Sequence, residues 1–158
     1  MNITVFRVDE RLIHGQIVTA WIAYADATQI IVADDKAAND EFQKSLLQMT
    51  TPKNIQLKII GIAEAIKTIK EDTSDSKALL IVRGPKEALQ LIEGGIDLKE
   101  INIGNINMKK GKKKILGNLW VDDEDISNLT KLSEAGISLD VRTVPNERSQ
   151  DAMKLILN

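Results

Sequence analysis

Residues 6–21 read FRVDERLIHGQIVTAW, and the pattern changes character half-way along. The run leading in, ITVFRV over 3–8, is rich in β-branched residues and predicts a strand. GQIVTAWIAYA over 15–25 instead repeats its apolar residues at helical spacing. A strand that passes into a helix through a short loop is the opening of a βαβ unit. The only histidine of the chain, His14, stands where the helix begins.

The alternation continues outward from there. QIIVA (29–33), QLKII (56–60), KALLIV (77–82), EINIG (100–104) and SLDVRTV (138–144) read as further strands. Helical spacing is found at 39–49, 61–71, 85–95 and 121–136, with a last short helix over 149–157. Pro85 suits a first helical position, Asp122 and Asp123 suit a helix start, and Gly94-Gly95 and Gly136 suit left-handed caps. Regular β/α alternation predicts an α/β fold: an open, mainly parallel, doubly wound central sheet with helices on both faces and room for one antiparallel edge strand. No repeat, linker or composition break divides the chain, so 1–158 is expected to form a single domain.

Composition narrows the chemistry. A chain of 158 residues with 43% apolar and 28% charged residues can bury a core without metal or disulfide help. Without cysteine it has no thiolate nucleophile and no Cys-ligated zinc, and one histidine cannot build a His-cluster metal site. A net charge of −2 offers no general attraction to nucleic acid. No stretch approaches the roughly 20 apolar residues of a membrane span, and the first residues lack the pattern of a secretory signal, so a cytoplasmic protein is expected.

In open α/β sheets, sites form where loops leave the carboxyl ends of the strands. On that rule Asp9 to His14, Asp34-Asp35, Arg83-Gly84 and Gly104-Asn105 gather at one edge. If a helix starts at Gly15, the free amides of Gly15, Gln16 and the next residues lie beside the imidazole, and the helix field favours a nucleophilic ring that carries an anion. Arg11 adds a planar fork suited to phosphate oxygens. A nucleophile, amide donors and a guanidinium suggest phosphoryl transfer. Read locally, though, His14 could equally be structural, and Asp9, Glu10 and Arg11 simple surface charges.

Other motifs carry less. Asp34-Asp35 is best read as a solvated turn rather than a magnesium pair or an aspartyl-phosphate site. Neither a dinucleotide fingerprint nor a P-loop is present. KKGKKK (109–114) is the one basic cluster, read as a solvated loop or as a rim for an acidic partner; it lacks the aromatics of a single-strand nucleic-acid platform.

RVDERLIHGQIVTAW resembles the opening signature of the IIB components of the mannose/fructose/sorbose class of the bacterial sugar phosphotransferase system, an Arg-Ile/Val-Asp-Asp/Glu-Arg-Leu-Ile/Leu-His-Gly-Gln pattern followed by Trp. IIVADDKAANDEFQKSLLQMTTP, LIEGGIDLKEINIGNINMKKGKKKI and VDDEDISNLTKLSEAGISLDVRTVP are similar to later segments of that family, so the likeness spans nearly the whole chain.

The resemblance implies a phosphotransferase that accepts a phosphoryl group on His14, at Nδ1, from a IIA phosphohistidine. It would then pass the group to a sugar of the mannose, fructose, sorbose or N-acetylhexosamine class entering through membrane IIC and IID components, which would hold the chain at the membrane. Arg11 aligns with the phosphate-holding arginine and Asp9 with the acid that orients the loop, while Gly15, Gln16 and Arg83 are further phosphate-binding candidates. No cofactor, metal or nucleic acid is implied, and a homodimer is left open. Two positions depart from the pattern: Arg83, where relatives carry small or polar residues, and Asn105, where many carry glycine. The competing expectation is a small-ligand regulatory module in which His14 only hydrogen-bonds its ligand.

Overall fold

The computed structural model describes residues 1–158. Strand β1 (Asn2–Asp9) leads into α1 (Gly15–Ala25), and β2 (Gln29–Ala33) into a short α2 (Asp35–Ala38) and α3 (Glu41–Thr50). Strand β3 (Gln56–Ile60), α4 (Ile62–Glu71), β4 (Lys77–Val82), α5 (Pro85–Glu93) and β5 (Glu100–Asn105) continue the alternation. A hairpin of β6 (Lys113–Leu116) and β7 (Leu119–Val121) precedes α6 (Asp123–Glu134), β8 (Ser138–Val141), β9 (Gln150–Asp151) and α7 (Ala152–Leu157).

The main sheet runs β3-β2-β4-β1-β5-β8-β9. Every pairing in it is parallel except β8 with β9 at the edge. Strand β2 is buried throughout, and β4 from Ala78 to Val82, because helices cover both faces; such strands read as unbroken apolar runs rather than alternating ones. Two cores result. Phe6, Val8, Leu80, Leu91 and Leu129 belong to the larger one, while Val5, Val18, Trp21, Leu79 and Leu47 belong to the other, on the α1 side. Burying each large aliphatic contributes about 1.5–3 kcal/mol.

Strand β1 sits at the centre, so consecutive side chains go to opposite cores: Val5 and Arg7 to the α1 side, Phe6 and Val8 to the other. From β1 the chain departs toward β2, on the β4 side, and from the adjacent β5 it departs the other way, toward β8. This divergence marks a topological switch point at the carboxyl ends of β1 and β5, the first of which carries the His14 loop.

Several elements differ from the sequence reading. The helix expected over 39–49 is two, because Asp34 caps a separate turn, its carboxylate accepting from the Ala37 amide at 2.9 Å. Asp34 is 3% exposed, so it is no solvated turn residue. The segment 121–136 gives its start to β7, and the helix begins behind an Asp122/Asp125 capping box. Strand 138–144 stops at Val141, and the first residues of the helix expected over 149–157 form β9. Lys113 and Lys114 lie on a strand, not in a loop, with Ile115 packed against the larger core.

Candidate active site at the first strand-to-helix loop

The loop after β1 is drawn down by two apolar anchors. Leu12 and Ile13 are 2% and 5% exposed, and Leu12 adopts a left-handed backbone with φ 63°, closed by its amide on the Asp9 carbonyl at 2.8 Å. That conformation costs a branched residue about 1–2 kcal/mol, offset by burial of its side chain. The chain then rises, and His14, Gly15 and Gln16 emerge exposed. His14 is the N-cap of α1: its backbone is extended and its carbonyl accepts from Val18 at 3.0 Å, while its imidazole caps nothing and forms no hydrogen bond within the chain. A Cβ added at Gly15 would meet nothing within 4 Å, so the space over the first turn is open. Free amides facing such a space suit an anion.

Beneath the loop runs a chain of charges. Asp9 is 1% exposed and both its oxygens are used. Oδ1 accepts from the Arg11 amide at 2.9 Å and Arg11 Nε at 3.1 Å; Oδ2 accepts from Arg11 Nη2 at 3.1 Å and Arg7 Nη2 at 3.0 Å. Arg7 Nη1 donates to Asn102 Oδ1 at 2.5 Å, Asn102 Nδ2 to Asp140 Oδ2 at 3.2 Å, and Arg142 Nε to the same oxygen at 2.8 Å. The Arg7 guanidinium lies 5.0 Å from the Trp21 ring, and Trp21 Nε1 donates to the Thr143 carbonyl at 2.8 Å. Gly104 is required here, since a Cβ would overlap the Arg7 guanidinium. Burial pushes the pKa of Arg7 below its ordinary value, against the upward pull of Asp9.

The consequence is a fixed Arg11. Asp9 holds its fork in place, yet the side chain is 28% exposed and Nη1 has no partner in the chain. A buried carboxylate thus orients a donor that stays available at the loop surface.

At the carboxyl end of the neighbouring β4, Arg83 is already engaged. Its Nε and Nη2 reach Asp34 Oδ1 and Oδ2 at 3.1 and 2.8 Å, and this bond raises its pKa. Glu87, in the first turn of α5, is pushed up by burial and then by the Asp34 charge. Asp35 turns away from Asp34 to cap α4, accepting from the Ile62 amide at 2.8 Å, so the two acids form no joint site. No group of three or more His, Cys, Asp or Glu side chains is placed to share a metal. The Asn105 carbonyl accepts from the Glu10 amide at 3.0 Å, and Lys109 approaches Glu10 at 3.7 Å.

Of the residues singled out by sequence, Asp9 and Arg11 touch, His14, Gly15 and Gln16 lie on the same loop, and Arg83 stands at the neighbouring strand end with Asp34 as partner. Sequence reasoning missed Arg7, Asn102, Asp140 and Arg142. Only Arg7 left a signal: a charge between the apolar Phe6 and Val8 of the central strand.

This arrangement has relatives. The family described as "PTS system sorbose subfamily IIB component" matches residues 3–158. The chain belongs to that family. It is a phosphotransferase component of a sugar phosphotransferase system, and no helix is long and apolar enough to cross a membrane. The chain is 34% identical over 150 residues to N-acetylgalactosamine-specific phosphotransferase enzyme IIB component 1 of Escherichia coli (strain K12), covering 94% of this chain and 95% of that one. The IIB domain of the sorbose permease from Klebsiella pneumoniae superposes with a TM-score of 0.94 at 29% identity, covering 99% and 97% of the two chains. The mannose-specific EIIAB component of Escherichia coli (strain K12) matches at 31% identity over 99% of this IIB chain and 49% of its own length. In that protein, by its name, A and B components share one chain.

Proposed function

We propose that His14 accepts a phosphoryl group from a phosphohistidine of a IIA component and passes it to a sugar entering through membrane IIC and IID partners. What carries this reading is the exposed, unpartnered imidazole of His14 over an open helix start, three residues from an arginine that a buried aspartate holds in place.

In the first step the P–N bond to the donor imidazole breaks as a P–N bond to His14 Nδ1 forms. In the second, that bond breaks as a sugar hydroxyl oxygen takes the phosphorus and releases its proton to solvent, the P–N electron pair returning to Nδ1 of a neutral His14 imidazole. Both need in-line positioning and stabilisation of the equatorial oxygens more than covalent help. The amides of Gly15 and Gln16 and the free Nη1 of Arg11 serve those oxygens, with Asp9 orienting Arg11. Arg83 contributes through Nη1 alone, its other donors being taken by Asp34. The sugar belongs to the mannose, fructose, sorbose or N-acetylhexosamine class, and the chain works in the cytoplasm against its membrane partners.

The test is label transfer from phosphoenolpyruvate through the general phosphotransferase proteins and a mannose-class IIA. Acid-labile, alkali-stable label is expected on the wild type and none on His14→Asn. Label that persists in the variant, or a wild type left unlabelled by a competent donor, would refute the assignment.

A further inference from the structure

Asn102 sits where it decides how Asp9 is shared. Parallel register sets it directly beside Arg7, its partner on β1, and the residue is 4% exposed. Its Oδ1 accepts from Arg7 Nη1, while its Nδ2 faces three acceptors: Asp140 Oδ2 at 3.2 Å, the Asp140 carbonyl at 3.3 Å and the Arg142 carbonyl at 3.2 Å. A neutral amide fits this place, accepting on one side and donating on the other, whereas a carboxylate would set a second anion against Asp140.

The bonds of the two arginines show what Asn102 does. A guanidinium beside a carboxylate favours two parallel bonds, one to each oxygen. Arg7 makes only one, Nη2 to Asp9 Oδ2 at 3.0 Å, because Nη1 is turned to Asn102 and to the Arg142 carbonyl at 3.3 Å. Arg11 takes the paired geometry instead, Nε to Oδ1 and Nη2 to Oδ2, both at 3.1 Å. Arg7 is the more buried of the two, so its attraction to Asp9 is the less screened, and it yields the paired face only while Nη1 is held elsewhere. Gly104, two residues further along the same face of β5, leaves the space this orientation needs, since a Cβ there would overlap Nη1 and Nη2 alike.

We propose that Asn102 is a positioning residue for phosphoryl transfer: by holding Arg7 Nη1 it keeps Arg7 from closing on both oxygens of Asp9, and so leaves Asp9 to fix Arg11 beside His14. Its own hydrogen bonds go to Arg7, Asp140 and Arg142 and none to His14, so it acts through Arg7, Asp9 and Arg11 in turn. Without it, Arg7 rotates onto Asp9 and Arg11 is released to solvent. The kinetic consequence rests on His14 being the phosphoryl acceptor; the sharing of Asp9 does not.

Two measurements test this. In single-turnover transfer from phosphorylated IIA, Asn102→Leu, similar in volume to asparagine, should be at least about tenfold slower than wild type. The double variant Asn102→Leu/Arg11→Gln should be no slower than Arg11→Gln alone, because a residue that acts only through Arg11 then has nothing left to act on. A residue that merely supports the fold would slow both backgrounds alike. In NMR, the Arg11 Nε–H proton, held by Asp9, should exchange with solvent at least about tenfold faster in Asn102→Leu and at the wild-type rate in Arg83→Gln. A folded Asn102→Leu as fast as wild type, losses that multiply in the double variant, or an Arg11 Nε–H unchanged by Asn102→Leu overturns the proposal. Should Asn102→Leu not fold, Asn102→Ser, one atom too short to hold Nη1 yet able to serve Asp140, carries the same expectations. Proton exchange needs no phosphoryl donor, so a wild type that accepts no phosphoryl group refutes the reading of His14 while the role of Asn102 is still decided.

Discussion

The two arginine–aspartate pairs at the carboxyl edge of the sheet use the same groups for different ends. Asp9 is shared between Arg7 and Arg11, the first 3% and the second 28% exposed, so one arginine secures the carboxylate while the other is presented. Asp34 has only Arg83, and it spends its second contact on capping α2. Arg83 is as exposed as Arg11, at 28%, and also keeps Nη1 free, so the two pairs differ in the brace beneath the carboxylate rather than in the donor they present. The difference lies in the strand that precedes each loop: β1 delivers Arg7 beneath Asp9, whereas the corresponding position of β2, Val32, offers no charge.

The largest contrast should appear when the brace is removed. Arg7→Leu strands a buried carboxylate and should cost about 3–5 kcal/mol in urea unfolding, whereas Arg83→Leu, solvent-accessible on one side, should cost about 1–3 kcal/mol. Equal losses would erase the distinction. A smaller difference is expected at two glycines. Gly104→Ala drives a methyl into the thrice-bonded Arg7 and should cost about 1–3 kcal/mol, while Gly84→Ala, whose methyl would meet only the tip of the Glu87 side chain at 3.3 Å, should stay within about 0.5 kcal/mol.

The smallest effect concerns pH. The pKa of Glu87 is raised in the fold, so folding holds its proton more firmly than the unfolded chain does. Its contribution is therefore full below the ordinary glutamate value and declines as pH rises through the raised one. Glu87→Gln should remove that decline and gain relative to wild type at neutral pH, measured as melting temperature against pH. A variant whose profile parallels that of the wild type would show that burial and the Asp34 charge do not raise the pKa of Glu87.

How much of this was legible in the sequence follows from what each element depends on. Strands β2 and β4 announced themselves because burial on both faces leaves unbroken Ile, Leu and Val. The start of α1 was legible from the change of period at His14. Helix α2 was hidden because one carboxylate makes it, and Asp34 looks like any turn acid. The β6–β7 hairpin was hidden because β6 turns only Ile115 inward among lysines. The bracing of the site was beyond reach: Arg7, Asn102 and Asp140 lie 95 and 38 residues apart in order, and only sheet register makes them neighbours.

The most direct test of the account is the single-turnover rate of phosphoryl transfer from phosphorylated IIA to this chain and two variants. On the proposed transfer, Arg11→Gln should lose at least about a hundredfold and Arg83→Gln less than about tenfold, with both variants folded, because Arg11 shares the loop of His14 and Arg83 stands at the next strand end. Equal losses, or a larger one at Arg83, would contradict the claim that the braced loop of β1 is where the transfer takes place.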